Sequence, residues 1–263
     1  MTDAHCHVTG GDAAVRELLV GRDFVGVHPW ECLAQPTAVD CSRLLPGLRE
    51  RLAADPRLGV GEIGLDRLKD RTISPQMREL FEAQLRLALE FGRPVVLHGA
   101  KCWGQVVETV RRLRSEVCGA IRQSEQSVNP SIRQSEQSVN PSIRQSEQSE
   151  QSNNRTILSF LFHGFSRSDG LIPDIVSLNG YISVGPAVMN DHAVNYRELV
   201  KKIPLDRLLV ETDRTPENAA TCPSVREVAA KVAELRGLSS EELERTVDAN
   251  ADRFLRPAET GSR

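Results

Sequence analysis

Short apolar segments alternate with amphipathic ones along most of this 263-residue chain, and that alternation constrains the fold more than any other feature. Apolar runs at Thr2–His7, Phe24–His28, Leu58–Ile63, Pro94–His98, Thr156–His163, Gly180–Val184 and Arg207–Thr212 read as strands. Helical periodicity fills the intervals at Asp12–Leu19, Ser42–Ala53, Pro75–Phe91, Trp103–Val117, Ser168–Leu178 and His192–Lys202, and continues at Ser224–Arg236 and Ser239–Phe254. The clearest helix, "PQMRELFEAQLRLALEFG", has Pro75 at its start and Gly92 past its end; Ser239 with Glu242 makes a capping box for the last one. Repeated βα units require a parallel sheet, either open and doubly wound or closed into a barrel. No G-x-G-x-x-G follows the first strand, and polar residues recur at the strands' carboxyl ends, where a barrel builds its active site. The expected fold is therefore α/β, a (β/α)8 TIM barrel. About 250 residues suffice for one such barrel, so 1–263 reads as a single domain.

One segment breaks the pattern. From Ile121 the unit "IRQSEQSVNPS" is repeated twice and then decays through "IRQSEQSEQSNN". An eleven-residue period can signal a right-handed supercoil, but each full unit carries Asn-Pro and Ser, and only Ile and Val are available to seed a core. Residues 121–154 are expected to be a disordered low-complexity insertion between the fourth helix and the fifth strand of the list above.

Charge is nearly balanced, 33 basic against 36 acidic residues, which argues against a protein that merely coats nucleic acid. It does not argue against a metalloenzyme acting on phosphodiesters, because bound cations add local positive charge. The six cysteines are scattered without a C-x-x-C pair, no signal peptide precedes the first strand, and no apolar run approaches the ~20 residues of a membrane span. A cytoplasmic protein with reduced thiols, no membrane association and no obligate protein partner is the expectation.

The strand ends carry the chemistry. His5 and His7, two apart on a strand, project to one face while Cys6 points away. His28 ends the next strand ("GVHPW"), Glu62 the next ("GVGEIGLD"), then His98 ("VVLHGA"), His163 ("FLFHGF") and Asp213 ("LLVETD"). Five of the six histidines fall at such ends; only His192 does not. Each residue alone has a plain structural reading, such as a hydrogen-bonded core histidine or a helix N-cap for Asp213. Together, four histidines and two carboxylates at one barrel mouth would be costly to bury without a cation. Mixed imidazole and carboxylate ligands suit zinc, manganese, iron or cobalt. Six ligands exceed one tetrahedral site and suit two cations ~4 Å apart that share a carboxylate, an arrangement used for hydrolysis.

In order, "DAHCH", "GVHPW", "GEIGLD", "PVVLHGAKCW", "HGFS" and "LLVETD" resemble the TatD-like metal-dependent deoxyribonucleases of the amidohydrolase superfamily, over nearly the whole chain apart from the repeats. The resemblance implies a (β/α)8 barrel, two divalent metal ions (zinc, manganese, iron or magnesium) and phosphodiester hydrolysis, with DNA, single-stranded or at strand ends, as substrate. By motif, His5 and His7 would hold one metal, Glu62 would bridge to a second completed by His98 and His163, and Asp213 would bind the first and orient or deprotonate the attacking water. Glu62 and Asp213 are thus the catalytic candidates. His28, Lys101 and Arg214 are the candidate substrate contacts. Departures from the family pattern are Gly99-Ala100-Lys101 where relatives carry Arg-Asp, Arg214-Thr215 before Pro216, and Arg167 after Ser166.

Two other readings stay open: an amide or ester hydrolase using a similar centre, or a barrel that binds metal without turnover. Trp30, Trp103, Arg67, Lys101 and Arg214 lie near the strand ends and favour nucleic acid over an acyl substrate, although either tryptophan can equally be packing. The insertion enters a strand at the end away from the site, so deleting 121–154 is expected to leave metal content and turnover nearly unchanged. A large loss of turnover in a deletion variant that folds normally would overturn that placement.

Overall fold

The computed structural model describes residues 1–33, 41–128 and 158–256. Eight parallel strands appear among them: β1 (Thr2–Cys6), β2 (Arg16–Leu19), β3 (Phe24–Val25), β4 (Gly59–Asp66), β5 (Val95–Ala100), β6 (Phe160–Phe162), β7 (Gly180–Val184) and β8 (Leu208–Val210). β3 to β8 pair in sequence order, β1 pairs with β2, and a parallel bridge from Val20 to Phe24 joins the two groups. The circuit closes where Asp213 N–H donates to His5 O (3.0 Å) and the buried Asp3 carboxylate accepts both Thr212 N–H (3.0 Å) and Thr212 Oγ1–H (2.6 Å). The result is a TIM-type barrel, as the alternation predicts.

The helices are α1 (Pro29–Leu33) and α2 (Cys41–Ala54) after β3, α3 (Pro75–Phe91) after β4, α4 (Trp103–Val128) after β5, α5 (Ile172–Ser177) after β6, α6 (Val194–Lys202) after β7, and α7 (Val225–Arg236) and α8 (Ser240–Phe254) after β8. α3 shows why the local sequence folds as it does. Ser74 caps it by accepting from Met77 N–H, Pro75 presets its first turn, and Gly92 ends it in the left-handed conformation. Met77, Leu80, Phe81, Leu85 and Ala88 recur at helical spacing and are buried against the barrel. The capping box at Ser239 and Glu242 is present. No helix among the described residues is long and apolar enough to cross a membrane.

Three expectations change. Arg16–Leu19, read as part of a helix, is the strand β2: Thr2 pairs with Arg16, Asp3 with Glu17 and Cys6 with Leu19. Its helix-forming residues are overridden by pairing with β1, where Arg16 Nε donates to Thr2 Oγ1 and Leu18 is buried. No helix stands between β1, β2 and β3, so the first third of the barrel departs from strict βα repetition, and the strand after the insertion is the sixth rather than the fifth. β4 runs on past Ile63 to Asp66, because Gly64, Leu65 and Asp66 pair with His98, Gly99 and Ala100. Finally, α4 continues to Val128, through the first eight residues of the segment expected to be disordered. Nothing in Ile121–Val128 breaks a helix, and the first Asn-Pro follows directly. The remainder of the insertion, to residue 154, lies outside the described residues. α4 leads toward the amino end of β6, the end opposite His163.

Close backbone approaches set the strand ends in place. Gly64 has φ 153°, and a Cβ there would lie 2.0 Å from His98 O, so no larger residue fits beside the histidine strand. Thr212→Val keeps the shape at the β8–β1 seam but removes a donor from buried Asp3. It is expected to lower unfolding free energy by about 1–3 kcal/mol, measured by denaturant titration, without loss of helical signal.

Candidate metal centre

The carboxylate of Glu62, 3% exposed, lies at the middle of the barrel mouth with a different set of histidines on each oxygen. Oε2 faces His5 Nε2 at 3.4 Å and His7 Nε2 at 3.5 Å. Oε1 faces His163 Nε2 at 2.5 Å, His98 Nδ1 at 2.6 Å and His28 Nε2 at 3.4 Å. Asp213 Oδ1 completes the first side, 3.8 Å from His5 Nε2 and 3.6 Å from His7 Nε2. Three groupings with donor atoms within 4.8 Å of one another result: His5, Glu62 and His163; His5, His7 and Asp213; His28, Glu62 and His98. The structure thus brings together His5, His7, Glu62, His98, His163 and Asp213, the residues singled out as ligands from the sequence, and adds His28 to their circle.

Elements explain each position. His5 lies on β1 and His7 just past its end, on the same face, while Cys6 turns away toward Leu18 O. His98 is on β5, His163 directly follows β6, and Asp213 is the third residue after β8, with φ 48°. Glu62 sits inside β4 rather than at its end.

The electrostatics fit a cation. His5 Nε2 is buried with no hydrogen-bond partner among the described atoms, although it points at two carboxylates. Burial, reinforced by charge on His163, lowers the His5 pKa and so disfavours its protonation. Burial works against charge on Glu62 as well, yet the adjacent His163 and the other imidazoles hold it well below the usual carboxylate range. Asp213 is likewise lowered: burial opposes ionisation, and the hydrogen bond from His7 with the charges of His163 and His5 outweighs it. Hydrogen bonds to Asp213 and Glu62 raise His7 to about 9. Desolvation opposes charge on buried His163, yet the charge of Glu62 and its hydrogen bond raise it to about 10, so the carboxylates draw positive charge to this circle. A divalent transition-metal ion would take the place of those protons and bind neutral imidazole beside ionised carboxylate.

Two buried acids that the sequence reading assigned no role support this circle. Asp66 Oδ2 accepts from Trp30 Nε1 at 2.5 Å and lies 3.2 Å from His98 Nε2; Oδ1 accepts from Leu68 N–H and Lys69 N–H. With Nε2–H given to Asp66, His98 presents the Nδ1 lone pair to the centre. Glu211, fully enclosed, accepts from Gly164 N–H and Ser183 Oγ–H and lies 3.9 Å from His163 Nδ1. Burial pushes its carboxyl up to about 7. A signal for both was available: Asp66 is four residues from Glu62 and Glu211 two from Asp213, spacings that share a face on extended chain.

The candidate substrate contacts divide. His28, 22% exposed, belongs to the histidine circle itself. Lys101 is exposed at the rim, with φ 54°. Arg214 points its guanidinium into its own loop, donating to the carbonyls of Ala219, Cys222 and Pro223. Trp103 is core, packed on Phe162 and Phe165, and its ring fills the space a side chain at position 99 would need, which accounts for glycine after His98. Trp30 remains 46% exposed. A cavity of about 1060 Å³ opens beside Asp213, lined by Arg167, His192, Asn195, Tyr196 and Lys202 among others.

Solved structures share this fold. The chain superposes on YjjV, a TatD homologue from Escherichia coli K12, with a TM-score of 0.60 and 22% identity, covering 93% of this chain and 78% of the other. A TatD-family hydrolase from Entamoeba histolytica gives 0.58 at 14% identity, over 91% and 75%. In sequence, the chain is 27% identical to YabD of Bacillus subtilis, described as an uncharacterized metal-dependent hydrolase, over 91% of this chain and 81% of that one. It is 24% identical to the 3'-5' ssDNA/RNA exonuclease TatD of Pantoea vagans, over 89% and 77%. The family model described as TatD related DNase matches residues 19–256, and the chain therefore belongs to the TatD-related DNase family of metal-dependent hydrolases.

Proposed function

We propose that this protein is a metal-dependent phosphodiesterase that removes nucleotides from single-stranded DNA or strand ends. The observation that carries the reading is the split environment of Glu62: its two oxygens face separate sets of imidazoles, as a carboxylate shared by two cations requires. His5, His7 and Asp213 would hold one ion, His98 and His163 the other, with Glu62 common to both. The nucleic-acid substrate is drawn from the family and from the exonuclease named above.

Divalent ions bound there would supply the positive charge that draws electron density from the phosphoryl oxygens. The chain's own residues do the rest. Asp213 is 47% exposed and ionised, so its carboxylate accepts the proton of the attacking water as the new P–O bond forms. The P–O bond to the departing sugar oxygen breaks, and that oxygen takes a proton from solvent. His5 and His163, 1% and 7% exposed, enclose the back of the centre and keep bulk water from it. His28, facing the same oxygen of Glu62 as His98 but partly open to solvent, is placed to donate to a phosphate oxygen at the mouth. The cavity beside Asp213 leaves room for the rest of the strand.

Protein stripped with a chelator is expected to lose cleavage of a 5′-labelled single-stranded oligonucleotide and to regain it with manganese, zinc or magnesium. Metal content near two ions per chain by elemental analysis supports the shared-carboxylate arrangement; one ion per folded, active chain overturns it. Asp213→Asn is expected to lower kcat by roughly 10²–10⁴-fold. Hydrolysis of acyl esters by metal-loaded protein that leaves oligonucleotides intact would replace the nuclease reading.

Asp66→Asn tests the outer shell of the centre. It keeps shape but weakens the acceptor that orients His98, and a 10- to 100-fold loss of metal affinity in competition with a chromogenic chelator is the expected result. Unchanged affinity would remove Asp66 from that role.

A further inference from the structure

Trp30 is an anomaly on this surface. Its indole N–H is held by the buried carboxylate of Asp66 at 2.5 Å, yet the ring is 46% exposed. The ring stands edge-on to His28, with centroids 4.9 Å apart, and edge-on to His98 at 6.4 Å, so it flanks the mouth of the centre. Asp66 also accepts from Leu68 N–H and Lys69 N–H, which fixes the turn that follows β4 beside the indole. That turn sets Lys69 Nζ over one face of the ring, 4.5 Å from its centroid, so a stacking partner takes the other face. It also leaves Leu68 58% exposed. One carboxylate therefore fastens an exposed aromatic ring, a cation and a histidine of the centre into one unit.

A rim tryptophan is commonly packing, and Trp103 is that case. Trp30 differs: it is pinned at one edge rather than buried by its neighbours. Pinning an aromatic ring removes the entropy that a partner would otherwise have to overcome on contact, and an exposed ring next to an ammonium group matches a ligand made of flat bases joined by phosphates.

We propose that Trp30 is a nucleobase-stacking platform for the strand whose phosphodiester lies at the Glu62 centre, with Lys69 meeting a backbone phosphate of the same strand. The inference rests on the nuclease reading above and adds to it a base-contacting subsite on the His98 side, across the mouth from the cavity beside Asp213. Stacking is indifferent to base identity, so the subsite selects for the presence of a base and not for its sequence.

The chain has two tryptophans, and Trp103 is buried, so binding at the platform reads out as quenching of Trp30 emission. The probes are a single-stranded dodecamer with a cleavage-resistant phosphorothioate backbone and a strand of equal length and backbone without bases. Wild-type protein is expected to bind the base-bearing strand about tenfold or more tighter than the baseless one, with quenching. Trp30→Ala should erase that difference, measured by fluorescence anisotropy of a labelled strand, and Trp30→Phe should retain most of it. Lys69→Gln should weaken both strands by a similar factor and flatten the salt dependence. A Trp30→Ala variant that keeps the wild-type preference for bases overturns the platform. Equal binding of both strands by the wild type overturns the platform alone and leaves the nuclease reading standing. Wild-type protein that binds neither strand ends both.

Discussion

Burying a carboxylate at the centre of a barrel is unfavourable unless charge comes to meet it, and Glu62 is met on both oxygens. Its surroundings organise the whole upper face of the protein. β1, β5 and the residues after β3, β6 and β8 each send one or two groups to it, so the circle exists only if every one of those strands is in register. A shift of one residue in any strand would turn its ligand outward. The requirement to bring five imidazoles around one carboxylate thus reaches down through the strands, where Val60, Val96, Leu161 and Leu209 are fully buried.

The second layer of acids gives this circle its direction. Asp66, Glu211 and Asp3 are each buried, and each accepts several donors. None faces the mouth as openly as Asp213. They act by orienting what does: Asp66 faces Nε2 of His98 and holds Trp30, Glu211 ties the turn after His163 to β7, and Asp3 ties the residue before Asp213 to β1. Removing charge from such acids would loosen the centre without touching its inner atoms. Arg214 is committed differently: its two terminal guanidinium nitrogens donate to three carbonyls of the loop that follows Asp213, and a substrate would have to compete for them.

Much of this was legible in the chain. The histidines announced themselves because the strand before each one is short, apolar and clearly bounded. α3 and α8 were legible from apolar spacing and caps alone. The second layer was less so. The apolar run that marks β4 stops at Ile63, so only the spacing of Asp66 from Glu62 points to it locally; the pairing of Gly64, Leu65 and Asp66 with β5 is what brings it to the site. Arg16–Leu19 has residues that favour a helix, and only the edge of β1 makes it a strand.

The sequence by itself determined the parallel βα architecture and the residue types at the mouth, since hydrophobic period and side-chain alternation are local properties that survive without any neighbour. The tertiary structure decided which atoms of those residues meet. It split the histidines between the two oxygens of Glu62, turned Arg214 inward, buried Trp103 and left Trp30 exposed. Those outcomes depend on how strands from distant parts of the chain align across the barrel, and alignment is set by packing and pairing between segments, not by the segments themselves.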